Sequence, residues 1–267
     1  MHELLATLDK LISATAWPMQ TPKAYGPFHI LFVLIGFSVC IFVAWKLRNL
    51  GDKGNRTLLL CIGIFLAVCE VYKQLLYFFC INDDSYEWGI FPFHLCSIPM
   101  YLCLIAPLLK PGKVQKAMYS FMMVYNLLSG AISFTEPSGL LHGYWTLTIH
   151  ALMWHLLIFF VGLYLALSGR GGSTFRDYRN ATVIFLVLCI VAFCINLLFW
   201  DVSNGGINMF FVGPRNSSIV VFKQISETFG WYVSTALYIP AVCLGGYLCF
   251  LPIHLRKKHT TKSNANA

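Results

Sequence analysis

Long apolar runs recur along the chain and are separated by short polar gaps. Seven runs hold roughly 19–24 mostly apolar residues each, enough to cross a hydrocarbon layer of about 30 Å as helices that rise 1.5 Å per residue. The predicted spans are 28–47, 57–79, 91–109, 114–135, 146–168, 181–200 and 229–252. Before them, apolar residues recur at helical spacing over residues 2–16, which predicts an amphipathic helix at the membrane interface.

Composition agrees with a membrane environment. The 267 residues are 58% hydrophobic and only 11% charged, against about 25% charged in ordinary soluble domains, and the mean hydropathy is +0.68. The net charge of +8 comes from basic residues in the gaps, so it indicates topology and not nucleic-acid binding. We predict an all-α, polytopic helix bundle in contact with membrane lipids, in the plasma membrane if the source is bacterial.

The ten cysteines lie mostly within the apolar runs and lack metal-ligand spacing. The sequence therefore predicts no disulfide framework, no metal site and no cofactor. It does not identify a protein partner or an oligomeric state.

Basic residues alternate from gap to gap. Fourteen of the 19 Lys and Arg residues fall in gaps on one predicted side of the membrane, which the positive-inside rule makes cytoplasmic. The N-terminus is then outside and the C-terminus inside. We divide the chain into an interfacial segment (1–27), a seven-helix transmembrane domain (28–254) and a basic cytoplasmic tail (255–267).

Polar side chains inside the spans gather in the predicted outer half. Such groups are costly in hydrocarbon and need a partner or a purpose. The residues concerned are His29, Glu70, Lys73, His94, Cys96, Asn126, His150, His155 and Asn196. This asymmetry predicts a polar cavity that opens on the outer side, above an inner half of plain hydrocarbon.

Structural interpretations of the same residues stay open. Glu70 and Lys73 are i, i+3 neighbours that can neutralise each other. On regular helices His150 and His155 lie about 140° apart, and His94 and Cys96 about 200° apart, so neither pair needs to face one site.

Several motifs together resemble the YwaF family of bacterial integral membrane proteins. Phe91-Pro92-Phe93-His94-Leu95-Cys96-Ser97 is similar to that family's Leu-Pro-Leu-His-Leu-Cys stretch, although Phe93 replaces a leucine. The other stretches that carry the resemblance are Gly26-Pro27-Phe28-His29, Ile149-His150 to His155-Leu156-Leu157, and Asn208-Met209-Phe210-Phe211. The order and spacing fit nearly the whole chain.

YwaF-like proteins are in turn similar to animal membrane acyltransferases that remodel ether phospholipids with an intramembrane Cys and His. The resemblance implies Cys96 as the nucleophile and a histidine of the fifth span, His150 or His155, as the base. Asn126 or Asn196 would donate a hydrogen bond to the oxyanion.

Three classes of function fit the sequence. One is a lipid acyltransferase or hydrolase. Another is a transporter or lipid-handling protein in which Glu70, Lys73 and the histidines bind a substrate or relay protons. The last is a receptor or structural membrane subunit.

Overall fold

A computed structural model describes residues 2–265 and, within them, the side chains of residue 3 and of residues 5–257. The described chain is all-α, with helices joined by loops and without strands. Its α-helices are α1 (His2–Ser13), α2 (Pro27–Leu47), α3 (Asp52–Leu76), α4 (Ile98–Ile105), α5 (Lys113–Ile132), α6 (Trp145–Leu167), α7 (Phe175–Leu198), α8 (Val220–Phe229) and α9 (Trp231–Ala265).

Six helical segments of the described chain are long and apolar enough to cross a membrane. They are Pro27–Leu47, Asp52–Ile81, Lys113–Thr135, Trp145–Leu167, Phe175–Leu198 and Trp231–Lys257. Their starts follow local sequence signals. Pro27 occupies the first turn of α2, where its missing N–H costs nothing. Thr174 and Asp177 form a reciprocal capping box at the start of α7.

The structure does not have the continuous third helix predicted for 91–109. α4 has only eight residues, followed by a 3-10 turn at Ala106–Leu108, and residues 91–97 are not helical. Proline explains the difference. Pro92 disfavours helical backbone at the residue before it, and Pro99 lies in the first turn of α4, a position that proline favours at a helix start.

Ion pairs and hydrogen bonds bring the basic gaps to one end of the bundle, which we call the basic end. Arg170 pairs with Asp52 at 2.6 Å, and Lys116 pairs with Asp177 at 2.8 Å. The other end carries the segments 82–97, 133–144 and 199–219, and we call it the loop end. The sidedness of the two ends in a membrane stays a prediction. Residues 258–267 of the predicted basic tail lie outside the described side chains.

The half of the bundle next to the basic end contains buried polar side chains, contrary to the prediction that it holds only apolar ones. Asn55 is buried there; its amide donates to the Tyr119 hydroxyl at 3.3 Å and accepts from the Tyr164 hydroxyl at 3.0 Å. This triad satisfies its own polar groups, which is what the cost of burying them demands.

The central helix is α5, which contacts α4, α6, α7 and α9. Glycines permit its close approach to α6. A Cβ on Gly130 would lie 2.9 Å from the His155 carbonyl oxygen, and a Cβ on Gly162 would lie 2.9 Å from the Leu127 nitrogen. Small residues at helix contacts are typical of membrane bundles, and here they fix the helix that carries His150 and His155.

Candidate functional site

A cavity of about 220 Å³ lies at the loop end, between α3, the segment 89–97, the loop 139–142 and the first half of α6. We call it the polar cavity. Its lining residues are Glu70, Lys73, Tyr77, Gly89, Ile90, His94, Cys96, Ser97, Gly139, Leu140, His142, Leu147, His150, Ala151, Trp154 and His155.

Six of the predicted site residues line this one cavity: Glu70, Lys73, His94, Cys96, His150 and His155. The helical-wheel separation of His94 and Cys96 does not apply, because residues 91–97 are not helical. His150 and His155 do lie on one helix, and both reach the cavity because it extends along the side of α6.

The hydrogen bonds of the α6 histidines define which ring nitrogen carries the proton. A carbonyl oxygen only accepts, so the bonded ring nitrogen must be the donor in each case. His150 Nε2 lies 3.1 Å from the Cys69 carbonyl oxygen on α3. His155 Nδ1 lies 2.8 Å from the Ala151 carbonyl oxygen on its own helix. In the neutral ring, Nδ1 of His150 and Nε2 of His155 then keep their lone pairs.

His94 follows the same rule in the non-helical segment. Its Nε2 lies 3.0 Å from the Gly89 carbonyl oxygen, which closes the turn that leads to Cys96, and its ring contacts Phe211. This bond gives His94 a structural task in shaping the segment that presents the thiol.

Trp154 connects the cysteine to the histidines. Its indole Nε1 donates to the Cys96 carbonyl oxygen at 2.9 Å, and its ring stacks on His150 with centroids 5.5 Å apart. The sequence analysis did not single out Trp154. The only signal was its position four residues after His150, one turn along the same face.

The two charged side chains of α3, Glu70 and Lys73, form an ion pair with each other. Lys73 Nζ lies 2.9 Å from Glu70 Oε1, and Gln74 donates to the same carboxylate at 2.7 Å and to the Ile90 carbonyl oxygen at 2.9 Å. This is the ion pair that the i, i+3 spacing predicted. Both side chains also line the polar cavity. The Lys73 ammonium group is therefore present in the cavity, with its charge balanced by the Glu70 carboxylate.

His29 and Asn126 are not among the residues that line the polar cavity. The His29 ring stacks on Phe134, and the Phe134 ring also packs at a steep angle against His155, so Phe134 contacts both histidines. Asn126 is buried on α5 and its side-chain nitrogen has no hydrogen-bond partner. The roles predicted for these two residues at the site stay predictions.

Asn196 holds a loop in place. Its side-chain nitrogen donates to the carbonyl oxygens of Met209 and Val212, both at 3.0 Å, and its oxygen accepts from the Met209 N–H at 2.6 Å. The whole amide is thereby engaged with the loop, and Asn196 is not among the residues that line the polar cavity. Asn208 bonds the Arg215 and Asn216 carbonyl oxygens in the same loop and likewise lies outside the cavity lining.

The lining residues that the sequence analysis did not single out include Ser97 and His142. Ser97 follows Cys96 directly and is buried. His142 lies in the loop between two predicted spans, where depth in the membrane gives no signal. Its backbone bonds the Thr148 hydroxyl at the start of α6, and burial lowers the pKa of His142 below its usual value, which favours the neutral ring.

The helices and the comparisons define the class together: this is a multi-pass membrane protein. The sequence pattern of the TMEM164 family matches residues 24–247, so the chain belongs to that family. The match covers every residue of the polar cavity. No curated protein and no solved structure matches the chain.

Proposed function

We propose that the protein is a membrane lipid acyltransferase or hydrolase in which Cys96 is the nucleophile and His155 the base. The observation that carries the proposal is the polar cavity, where one thiol shares a small space with four histidines. A thiol beside an imidazole is the arrangement that nucleophilic acyl transfer needs. The resemblance to YwaF-like proteins, and through them to Cys/His acyltransferases, favours the same chemistry.

His155 suits the base better than His150 does. The proton of His155 is donated within its own helix, to Ala151, which leaves Nε2 free to take the thiol proton. His150 instead ties α6 to α3 through the Cys69 carbonyl oxygen, so moving its ring would break a contact between helices. The Phe134 ring packs against the His155 ring at a steep angle, with centroids 6.5 Å apart.

The reaction follows from these groups. The Cys96 thiol gives its proton to His155, and the sulfur attacks the ester carbonyl of a lipid. The C–O bond breaks as the lipid oxygen takes the proton, which leaves an acyl thioester on Cys96. A hydroxyl of a second lipid, or water, then attacks the thioester and regenerates the thiol. The ammonium of Lys73 and the Ser97 hydroxyl are the lining groups suited to stabilise the oxyanion.

The test is acylation of Cys96 in the purified protein in nanodiscs, read by mass spectrometry after trapping with an acyl donor. We expect a thioester on Cys96 in the wild type, none in Cys96→Ala and strongly slowed formation in His155→Ala. Cys61→Ala is the matched control, because Cys61 is an exposed thiol on α3 away from the cavity. Acyl transfer that persists in Cys96→Ala would reject the proposal and favour a role in transport or a structural role.

A further inference from the structure

A second recess adjoins the polar cavity on the outside of the bundle, between α3, α6 and the N-terminal segment. We call it the lateral groove. Its volume is about 730 Å³, within the roughly 300–1,000 Å³ typical of small-molecule sites. Phe65 on α3 and Ile149 on α6 line its sides, and Trp17 and Trp145 lie at its loop end. All four side chains are exposed on the outer surface.

The lateral groove and the polar cavity share a wall of two side chains, His150 and Trp154, which line both spaces. His150 reaches from α6 to the Cys69 carbonyl oxygen on α3 and stacks on Trp154. Trp154 bonds the Cys96 carbonyl oxygen on the cavity side. One layer of side chains therefore separates the groove from the segment that carries the thiol.

The volumes of the two spaces set what each can hold. Measured in the same way, the polar cavity, at about 220 Å³, has less than a third of the volume of the lateral groove, at about 730 Å³. The lateral groove is therefore the larger space for a long acyl chain joined to Cys96, and it lies directly behind the shared wall.

The N-terminal segment closes the loop end of the lateral groove. The Thr15 and Tyr72 hydroxyls are 2.7 Å apart. The backbone N–H of Trp145 donates to the Trp17 carbonyl oxygen at 2.9 Å. Tryptophan is enriched at the level of lipid headgroups. The N-terminal segment thus covers the loop end of the groove, while the exposed Phe65 and Ile149 leave its side facing outward from the bundle, which is the geometry that a lipid chain entering from the bilayer requires.

We propose that the lateral groove binds the acyl chain of a membrane phospholipid whose ester carbonyl reaches Cys96 past His150 and Trp154. This inference rests on the proposed function and assigns His150 to the passage between the two spaces. Another apolar recess, between α2 and α6, contains Val39 and Gly36 and has a volume of about 550 Å³. It shares no lining residue with the polar cavity, so it supplies the control.

The experiment varies chain length and groove volume together. Synthetic phosphatidylcholines with a hexadecanoyl or a butanoyl chain are offered to the wild type, Ile149→Trp, Phe65→Trp and Val39→Trp, and the acyl adduct on Cys96 is quantified. Filling the lateral groove should lower the hexadecanoyl adduct by at least about ten-fold and spare the butanoyl adduct. Val39→Trp should behave as the wild type. Equal chain-length dependence in Ile149→Trp, Phe65→Trp and Val39→Trp would overturn the groove assignment.

A second readout separates the groove from the chemistry. A phosphatidylcholine with a diazirine in its acyl chain should crosslink to residues 65–72 and 145–154 in the wild type, and less in Ile149→Trp. Crosslinks spread evenly over the outer faces of α2 and α7 would overturn the groove even if Cys96 is acylated. Crosslinks confined to the groove without any acyl-Cys96 would uphold the groove and reject the proposed function.

Discussion

The indole Nε1 of Trp154 donates a 2.9 Å hydrogen bond to the carbonyl oxygen of Cys96. This bond joins α6 to the non-helical segment before α4, where the Ser97 and Ile98 N–H groups donate to the His94 carbonyl oxygen and close a turn around Cys96. A buried donor and acceptor that pair across elements specify one arrangement of both. The position of the Cys96 thiol relative to the histidines of α6 therefore depends on a side chain that carries no reactive group itself.

Trp154→Phe tests this dependence. The change keeps the ring stacked on His150 but leaves the Cys96 carbonyl oxygen without its donor, and we expect a stability loss of about 1–3 kcal/mol. The acylation of Cys96 should slow because the thiol is less well positioned. Thermal unfolding in detergent and the rate of adduct formation measure the two effects. Trp45→Phe, on the exposed face of α2, is the control and should change neither.

Asn196→Ala should release the loop at 205–213. The substitution removes three hydrogen bonds to Met209 and Val212 and leaves buried backbone groups unpaired, which costs at least about 2 kcal/mol. Faster amide exchange in this loop than in α7 would show the release directly.

Asn216→Ala is the control for that change, since Asn216 is exposed and its side chain makes no hydrogen bond in the described chain. If the amide hydrogens of this loop exchange no faster in Asn196→Ala than in Asn216→Ala, the Asn196 side chain does not hold the loop. A loss of Cys96 acylation with unchanged exchange would instead restore the oxyanion role predicted from the sequence.

Apolar runs and their length were sufficient to predict most of the helices. The span at 28–47 is observed as Pro27–Leu47 and the span at 146–168 as Trp145–Leu167. The run at 91–109 is equally apolar, but hydropathy does not register backbone geometry. Pro92 and Pro99 confine the helix there to Ile98–Ile105, and the non-helical remainder forms part of the polar cavity.

The sequence predicted the candidate site only through the depth of each polar residue within its predicted membrane span. Polar residues at similar depth, such as Cys96 and His155, do line one cavity. Depth does not show whether a polar group is already occupied, and Asn196 is fully bonded to a loop distant in sequence. Nor does it reveal His142, which reaches the cavity through the fold of the loop between two helices.

The next prediction concerns which end of the bundle faces the cytoplasm. If the basic end is cytoplasmic, green fluorescent protein joined to the C-terminus of the bacterially expressed chain should fluoresce, and alkaline phosphatase there should be inactive. Alkaline phosphatase joined after Asn216 in the loop end should be active. Active phosphatase at the C-terminus would invert the topology and place the polar cavity towards the cytoplasm.

A double-mutant cycle on Glu70 and Lys73 measures the ion pair of the polar cavity. Glu70→Gln keeps the shape of the side chain but leaves the Lys73 ammonium, whose side chain is only 18% exposed, without its counter-charge. Breaking fully buried pairs costs about 3–5 kcal/mol, and we expect about 1–3 kcal/mol here because the ammonium retains some water. Lys73→Met should cost a similar amount, and the double variant less than the two costs combined.

The exposed pair of Lys223 and Glu227, 4.0 Å apart, supplies the matched control, and Glu227→Gln should change stability by less than about 0.5 kcal/mol. Additive costs for Glu70→Gln and Lys73→Met in thermal unfolding would mean that the two groups do not interact. Retained Cys96 acylation in the double variant would assign the pair to structure. Its loss there, with stability largely recovered, would show that the Lys73 ammonium acts on the reacting lipid, because the charge and not the fold would then be what is missing.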